Sequence, residues 1–414
     1  MEKRKLIEMG TLSRGRSQHR PRNDSKLYGG KYPFIQTGDV KNSNLYIEKY
    51  SQTYNDFGLN QSKLWPENTL CITIAANIAD TGILSFPACF PDSIIGFTAT
   101  KGKTDVRYVK YCFDLLQKSI QNMSKGSTQD NLSMEKLEQL EFNCPSFENQ
   151  QKIAAVLSSL DDKIALNNRI NAKLEQMAKR LYEHWFVQFD FPVSCHSELV
   201  SESHSEEMLN QVQHDECAKP YKSTGGKMVW NEELKREIPE GWEVKKLGEI
   251  ALVKRGTTIT EKDTTKGNVK VVAGGLDFSY YHNQSNRKAN CITVSGSGEN
   301  AGFVNFWREP IFASDCSTAQ CENDIDTMLC YFALKMQEKR FYRISHKSAQ
   351  PHIYPKDVAE IPIVVPNEAV KSKISDFFLK SNWKIALIEK ETQKLTALRD
   401  RLLPLLMNGQ VEVK

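Results

Sequence analysis

No stretch of this chain approaches 18 uninterrupted apolar residues, so nothing in it reads as a membrane-spanning helix. The opening MEKRKLIEMG has neither the apolar segment nor the cleavage pattern of a secretory signal. The ten cysteines never form a Cys-x-x-Cys pair, and without a secretion signal they read as reduced thiols in a cytoplasm. Motifs of catalysis are missing as well: there is no Gly-x-Ser-x-Gly and no His-Glu-x-x-His. In SGSGENAG the glycines fall at 296, 298 and 302, one residue too wide for a dinucleotide fingerprint. In GFTATKGKT the gap between Gly96 and Gly102 is one residue too long for a Walker loop. The Asp/Asn-Pro-Pro-aromatic tetrad of amino-methyltransferases is absent. Cys195, His196, His204, His214 and Cys217 match no common zinc spacing. These absences point to a protein that recognises and does not catalyse, with no metal or cofactor of its own.

What is present suits two or three folded domains: 414 residues, 40% of them hydrophobic and 26% charged. Net charge is only +4, but it is unevenly spread. The first 31 residues carry nine Lys or Arg against three acids. Within them SRGRSQHRPR spaces Arg14, Arg16, Arg20 and Arg22 among turn-forming residues, the make-up of a flexible basic loop suited to phosphate oxygens. A solvated surface loop accounts for such a run equally well.

The chain also repeats itself. GSTQDNLSMEKLEQL (126–140) aligns with KSAQPHIYPKDVAEI (347–361), Ser127 and Gln129 falling over Ser348 and Gln350. The same spacing continues from Pro145 over Pro366 to Leu181 over Leu402. Upstream, LCITIAANIADTGIL (70–84) aligns with NCITVSGSGENAGFV (290–304), and Arg14-Gly15 with Arg255-Gly256. One order of elements is therefore written twice, with loops of different length. Each copy opens with a mixed α/β pattern. The two Cys-Ile-Thr runs read as buried strands, while 108–120 and 327–341 have helical periodicity. The first copy has no counterpart of Gly241-Trp242.

Each copy then closes on one long helix. Ile153, Leu157, Leu160, Ile164, Leu174 and Leu181 follow a heptad spacing, with Met177 and Ala178 filling the same face and Asn167 and Asn171 on the stripe. The second helix carries Ile374, Ile385, Leu395, Leu398 and Leu402, with Pro404 expected to end or bend it and Gly409 to stop it. Neither small module offers an obvious cover for so long a stripe. A buried Leu or Ile contributes about 1.5–3 kcal/mol, so two matched stripes are expected to cover each other. The expected fold class is α+β: two α/β domains separated by two long helices in an antiparallel coiled coil, a pseudo-twofold internal repeat. The expected divisions are 1–145, a helix over 146–190, a linker with an insertion over 191–240, 241–365, and a second helix over 366–414.

The segments PSFENQQKIAAVLSSLDDKIALNNRINAKLEQMAKRLYEHWF (145–186), GSTQDNL (126–132) and KMVWNEELKREIPEGWEVKKLGEIA (227–251) resemble the specificity subunit of type I restriction–modification systems. The second copy departs from the family's Glu-x-Gln, carrying Ala369 and Lys371. The resemblance implies two target-recognition domains reading a bipartite double-stranded DNA target. It implies helices that space them and dock two modification (methyltransferase) subunits, with restriction (translocase/endonuclease) subunits as further partners and no membrane. S-adenosylmethionine, ATP and Mg would belong to those partners. In the first module the residue types that contact bases and phosphates are Arg14, Arg16, Arg20, Arg22, Gln36, Lys41, Lys101, Lys103, Ser127 and Gln129. In the second they are Arg255, Lys262, Arg287, Lys288, Arg308, Lys347, Ser348, Gln350 and His352. The alternative is a diverged DNA methyltransferase or nuclease with its own catalytic site.

Overall fold

The computed structural model describes residues 2–75, 78–125, 132–194, 218–345 and 352–413. The chain divides into two compact units, Met1–Arg169 with Glu389–Lys414, and Ile170–Ile388. The boundary falls inside both long helices, so each helix contributes one part to each unit.

The repeat seen in the sequence is a repeat of topology. In the first unit the main sheet runs in the order Gly10–Arg14, Ile94–Ala99, Leu70–Thr73, Thr81–Leu84, with Tyr46–Ile47 added at the far edge. In the second it runs Leu252–Arg255, Cys316–Gln320, Cys291–Ser295, Val304–Trp307. The Cys-Ile-Thr strands lie inside these sheets and are buried on both faces, which is why they read as continuous β-branched runs. Each unit adds a smaller sheet with one parallel pairing: Phe34 opposite Cys89 in the first, Val271 and Val272 opposite Phe312 and Ala313 in the second. Each also pairs its opening strand with the strand that precedes its long helix. Glu2–Lys5 lies against Glu141–Cys144, and Glu243–Lys246 against Pro362–Val365.

The expected helix at 327–341 is two. Asp324–Met336 stops at Gln337, and Glu338–Ser345 follows. Glu338 turns back to accept hydrogen bonds from the Val304 amide at 2.9 Å and the Lys335 ammonium at 2.6 Å. That tie to a neighbouring strand is non-local and leaves no mark on the helical periodicity.

The long helices are Phe147–Tyr182 and Glu368–Met407. Within the first unit they run antiparallel: Asp161 meets Arg399 at 2.8 Å, and six residues later Asn167 donates to Glu391 at 2.9 Å and Thr392 at 3.3 Å. Within the second unit, Glu175 and Asn382 share the guanidinium of Arg308. Ile153, Leu157, Ile164, Ile374 and Ile385 are buried, and Leu160, Leu174, Leu181, Leu395 and Leu402 are half-buried. The stripe is not covered by helix pairing alone. Ile153 and Leu157 sit in the core of the first module with Leu6, Met9 and Leu70, and Ile374 sits in the core of the second. Heptad spacing shows that a face is apolar but not what covers it. Met177 and Leu398, expected on the stripe, are 53% and 45% exposed.

Both helices end by plugging into a module. The first closes in a π turn, Glu183–Val187, that buries Trp185 and Phe186 with Phe189, Phe191 and Trp242. The second brings Leu406 and Met407 into the core of the first unit. Leu406 and Met407 are the repeat partners of Trp185 and Phe186. Pro404 does not end the helix; the helix continues to Met407 and stops at Gly409, whose φ is 67°. A proline in the last turn removes one backbone donor but leaves the following bonds, such as Asn408 N–H to the Pro404 carbonyl, in place.

Candidate nucleic-acid interface

Arg14-Gly15 and Arg255-Gly256 occupy the same place in the two modules. Each arginine is the last residue of the edge strand of its main sheet, and the following glycine leaves that edge. The glycines are required by close approach: a Cβ at Gly15 would collide with the Pro91 carbonyl, and one at Gly256 with the Ser314 carbonyl. Their amides continue the ladder, to the Ile94 and Cys316 carbonyls, each at 2.9 Å. Beyond that point the chain runs out as an exposed segment in both modules, rich in cations in the first (Arg16, Arg20, Arg22) and balanced in the second, where Lys262 and Lys266 stand with Glu261 and Asp263.

In the first module this loop is anchored, contrary to the flexible loop expected from SRGRSQHRPR. The Gln61 side-chain oxygen accepts from the amides of Gln18 at 2.7 Å and His19 at 3.0 Å. Ser62 Oγ donates to the Arg16 carbonyl at 2.7 Å. Asp24 closes the far end by pairing with the His19 ring at 2.9 Å. The fixed backbone presents side chains with different commitments. Arg14 is exposed, and its guanidinium makes no hydrogen bond or ion pair among the described residues. Arg16 is exposed and donates to Gln18. Arg20 bends back onto the Ser17 and His19 carbonyls, at 2.7 and 2.9 Å. Arg22 forks onto Asp92 at 2.7 and 2.9 Å. Gln36 is exposed and bonds Gln52, and Lys41 is exposed at the end of the helix Thr37–Lys41. Lys101 and Lys103 stand exposed on the turn after Ile94–Ala99. Lys63, which is not among the residues expected from the sequence, lies 3.6 Å over the Trp65 ring.

In the second module Arg255 is exposed and 3.6 Å from Asp315. Lys262, Lys288 and His352 are exposed, with His352 beside the Tyr354 ring. Two expected candidates belong to the scaffold instead. Arg287 donates to Thr318 Oγ1 and to the carbonyls of Asn286 and Arg255, at 2.8, 2.8 and 2.9 Å. Arg308, with only 8% of its side chain exposed, is held by Asn382 at 2.9 Å and Glu175 at 3.0 Å. An arginine whose guanidinium is held by several protein acceptors has fewer donors, and less freedom to aim them, for a base or a phosphate. Ser127, Gln129, Lys347, Ser348 and Gln350 lie outside the described residues, as do Cys195, His196, His204, His214 and Cys217.

The structure also explains the Glu-x-Gln signature and its loss. Gln150 is 1% exposed. Its carbonyl accepts from the Asp105 amide at 3.1 Å, and its amide donates to the carbonyls of Pro145 at 3.0 Å and Lys103 at 3.3 Å. It thereby locks the start of the long helix to the turn that carries Lys101 and Lys103. In the second copy the matching residue is Lys371, and its ammonium reaches Asp326, the repeat partner of Asp105, at 3.3 Å and Glu368 at 2.7 Å. A neutral carboxamide lock has been exchanged for a charged one at the same joint.

Two α/β modules built to one plan, each launching cations from the same sheet edge and joined by long helices, define a DNA-recognition protein with two reading heads. The family model for the type I restriction modification DNA specificity domain matches residues 1–176 and 239–397, and the chain belongs to that family. It is accordingly a specificity subunit, whose role in a type I restriction–modification system is DNA recognition and not catalysis, and whose partners are DNA and the modification and restriction subunits. The chain is 25% identical to the type I restriction enzyme MjaIX specificity subunit of Methanocaldococcus jannaschii, over 99% of this chain and 93% of the relative. It is 25% identical to the HindI specificity subunit of Haemophilus influenzae, over 70% of this chain and 72% of the relative. In fold it is similar to the crystal structure of a type I restriction–modification S subunit from M. genitalium, with a TM-score of 0.60 at 18% identity, covering 98% of this chain and 96% of that one.

Proposed function

We propose that each module reads one half of a split double-stranded DNA target, and that the paired helices set the interval between the halves. The observation carrying this reading is the repeated Arg-Gly edge, which sets an exposed arginine, Arg14 or Arg255, at the end of the same edge strand in both sheets. Arg14, Arg16, Lys101 and Lys103 in the first module, and Arg255, Lys262 and Lys288 in the second, are the exposed cations with least intramolecular commitment. Such groups neutralise phosphates and release counterions, so affinity falls steeply with salt. Modules related by a twofold suit half-sites separated by about one helical turn, roughly 34 Å.

Two modification subunits would dock on the long helices. Leu379, Trp383 and Leu387 form an exposed apolar stripe at a four-residue spacing, 40%, 67% and 52% exposed. Exposed Met177 lies close in sequence to Glu175, which shares Arg308 with Asn382, at the same level of the pair. S-adenosylmethionine, ATP and Mg belong in this reading to the partner subunits, and DNA as ligand makes the cytoplasm the compartment.

The test is co-expression with the cognate modification subunit, followed by genome-wide mapping of methylated adenines and salt titration of binding to the mapped site. One bipartite site is expected. Arg14→Ala and Arg16→Ala should each weaken binding and flatten the log–log salt slope by about 1. Trp383→Ser should leave DNA binding intact and abolish co-purification of the modification subunit. Methyl transfer by the isolated chain, or salt slopes unmoved by both arginine variants, would overturn the reading.

A further inference from the structure

Of the eight cysteines among the described residues, seven are buried, and Cys321 alone is half-exposed. Its sulfur lies 3.7 Å from that of Cys330. Cys321 follows the strand Cys316–Gln320, which lies between two neighbours in its sheet, and Cys330 faces it from the second turn of the helix Asp324–Met336. The turn between them is fixed. Asn323 caps the helix through the Asp326 amide at 2.8 Å, and the Cys321 amide donates to Thr327 Oγ1 at 3.0 Å. Cys321 also lines an open cavity of about 1040 Å³, together with Arg287, Gln320, Glu322 and Asp324. Cys321 is therefore the more accessible residue of the pair to a small polar reagent, and Cys330 is buried beside it.

We propose that Cys321 and Cys330 are a site of oxidative modification, a dithiol that a hydroperoxide converts to a disulfide. The roles of the two thiols differ. The hydrogen bond from Cys330 holds the Cys321 thiol below its ordinary range, whereas hydrogen bonding to Cys321 and burial push Cys330 well above its own. Cys321 is thus the attacking thiolate and Cys330 the resolving thiol. In the first step the Cys321 sulfur attacks one peroxide oxygen, the O–O bond breaks, and hydroxide leaves as water with the thiol's proton, giving a sulfenic acid. In the second the Cys330 sulfur attacks the Cys321 sulfur, the S–O bond breaks, and the hydroxide takes the Cys330 proton as water. Two thiols lose one electron each, the peroxide gains two, and two waters are formed. Closing the pair brings the two sulfurs from 3.7 Å to a bond of about 2.05 Å.

The test uses the full chain carrying Cys195→Ser and Cys217→Ser, treated with hydrogen peroxide and then alkylated without reductant. Cleavage after Glu322 separates the two cysteines, so a bridge is seen as two fragments joined until reductant is added. Joined fragments are expected at peroxide levels that leave the buried cysteines unmodified. In Cys330→Ser, Cys321 should halt as a sulfenic acid trapped by dimedone; in Cys321→Ser, Cys330 should stay unoxidised. Native alkylation of the unsubstituted pair gives a readout independent of those variants: Cys321 should react with iodoacetamide ahead of the other described cysteines. Fragments that are never joined, or a Cys330 that oxidises equally fast without Cys321, would overturn the proposal.

Discussion

Gln150 shows how much one side chain can decide. Its carboxamide meets three backbone groups from two segments, and the side chain that makes these bonds is 1% exposed. Removing one partner of a buried hydrogen bond strands the other at a cost of about 1–3 kcal/mol. Gln150→Ala should therefore lower the urea midpoint of unfolding and weaken DNA binding through the displaced Lys101–Lys103 turn. Lys371→Ala should cost less, because that ammonium is partly solvated and one of its partners, Glu368, is largely exposed. The signature residue was visible in the sequence, but the meaning of its replacement was not. Only the tertiary pairing of Lys371 with Asp326 shows that the joint is kept with different chemistry. Arg308 teaches the reverse. As a basic residue of the second module it reads as a DNA contact, whereas the fold surrounds it with Glu175 and Asn382.

At the scale of elements, the long helices were legible because heptad spacing survives in any context. What covers each turn was not. The stripe is shared among module core at its ends and partner helix between them, and polar residues mark the change. Asp161 is buried and accepts from the Tyr111 hydroxyl at 2.6 Å and the Arg399 guanidinium at 2.8 Å. This three-way contact ties the helix Val106–Lys125 to both long helices within the first unit. Removing Asp161 takes one of two carboxylates from Arg399, which also pairs with Asp400, and leaves the Tyr111 hydroxyl without its acceptor, at a cost of about 1–3 kcal/mol. Asp161→Ala should produce a loss of that size in equilibrium denaturation, and a clearly smaller one if Arg399→Met is already present, since the two residues share one interaction.

At the scale of the whole molecule, the last residues of the chain belong to its first unit. Leu402, Leu403, Leu406, Met407 and Val413 pack with a core that begins at Leu6, and Asn143 donates to the Met407 carbonyl at 3.3 Å. A chain ended at Arg401 should keep the second unit folded and show faster amide hydrogen exchange across residues 2–169. Equal exchange in the two chains would show that the terminal turn is dispensable. The expected division at 366–414 treats this segment as helix alone, because sequence shows a stripe's spacing and not the distant surface that receives it.

The sequence by itself determined the doubled order of elements, the buried Cys-Ile-Thr strands, the two long amphipathic helices and the family to which the chain belongs. These follow from periodicity and from local motifs, which depend on neighbours within a few residues. Tertiary structure alone decided which arginines are tied to protein acceptors, which carboxamides hold the loops, and which two cysteines touch. Those properties rest on contacts between residues that are distant along the chain or on separate elements, where the energy of a charge or a thiol is set by what the fold places beside it.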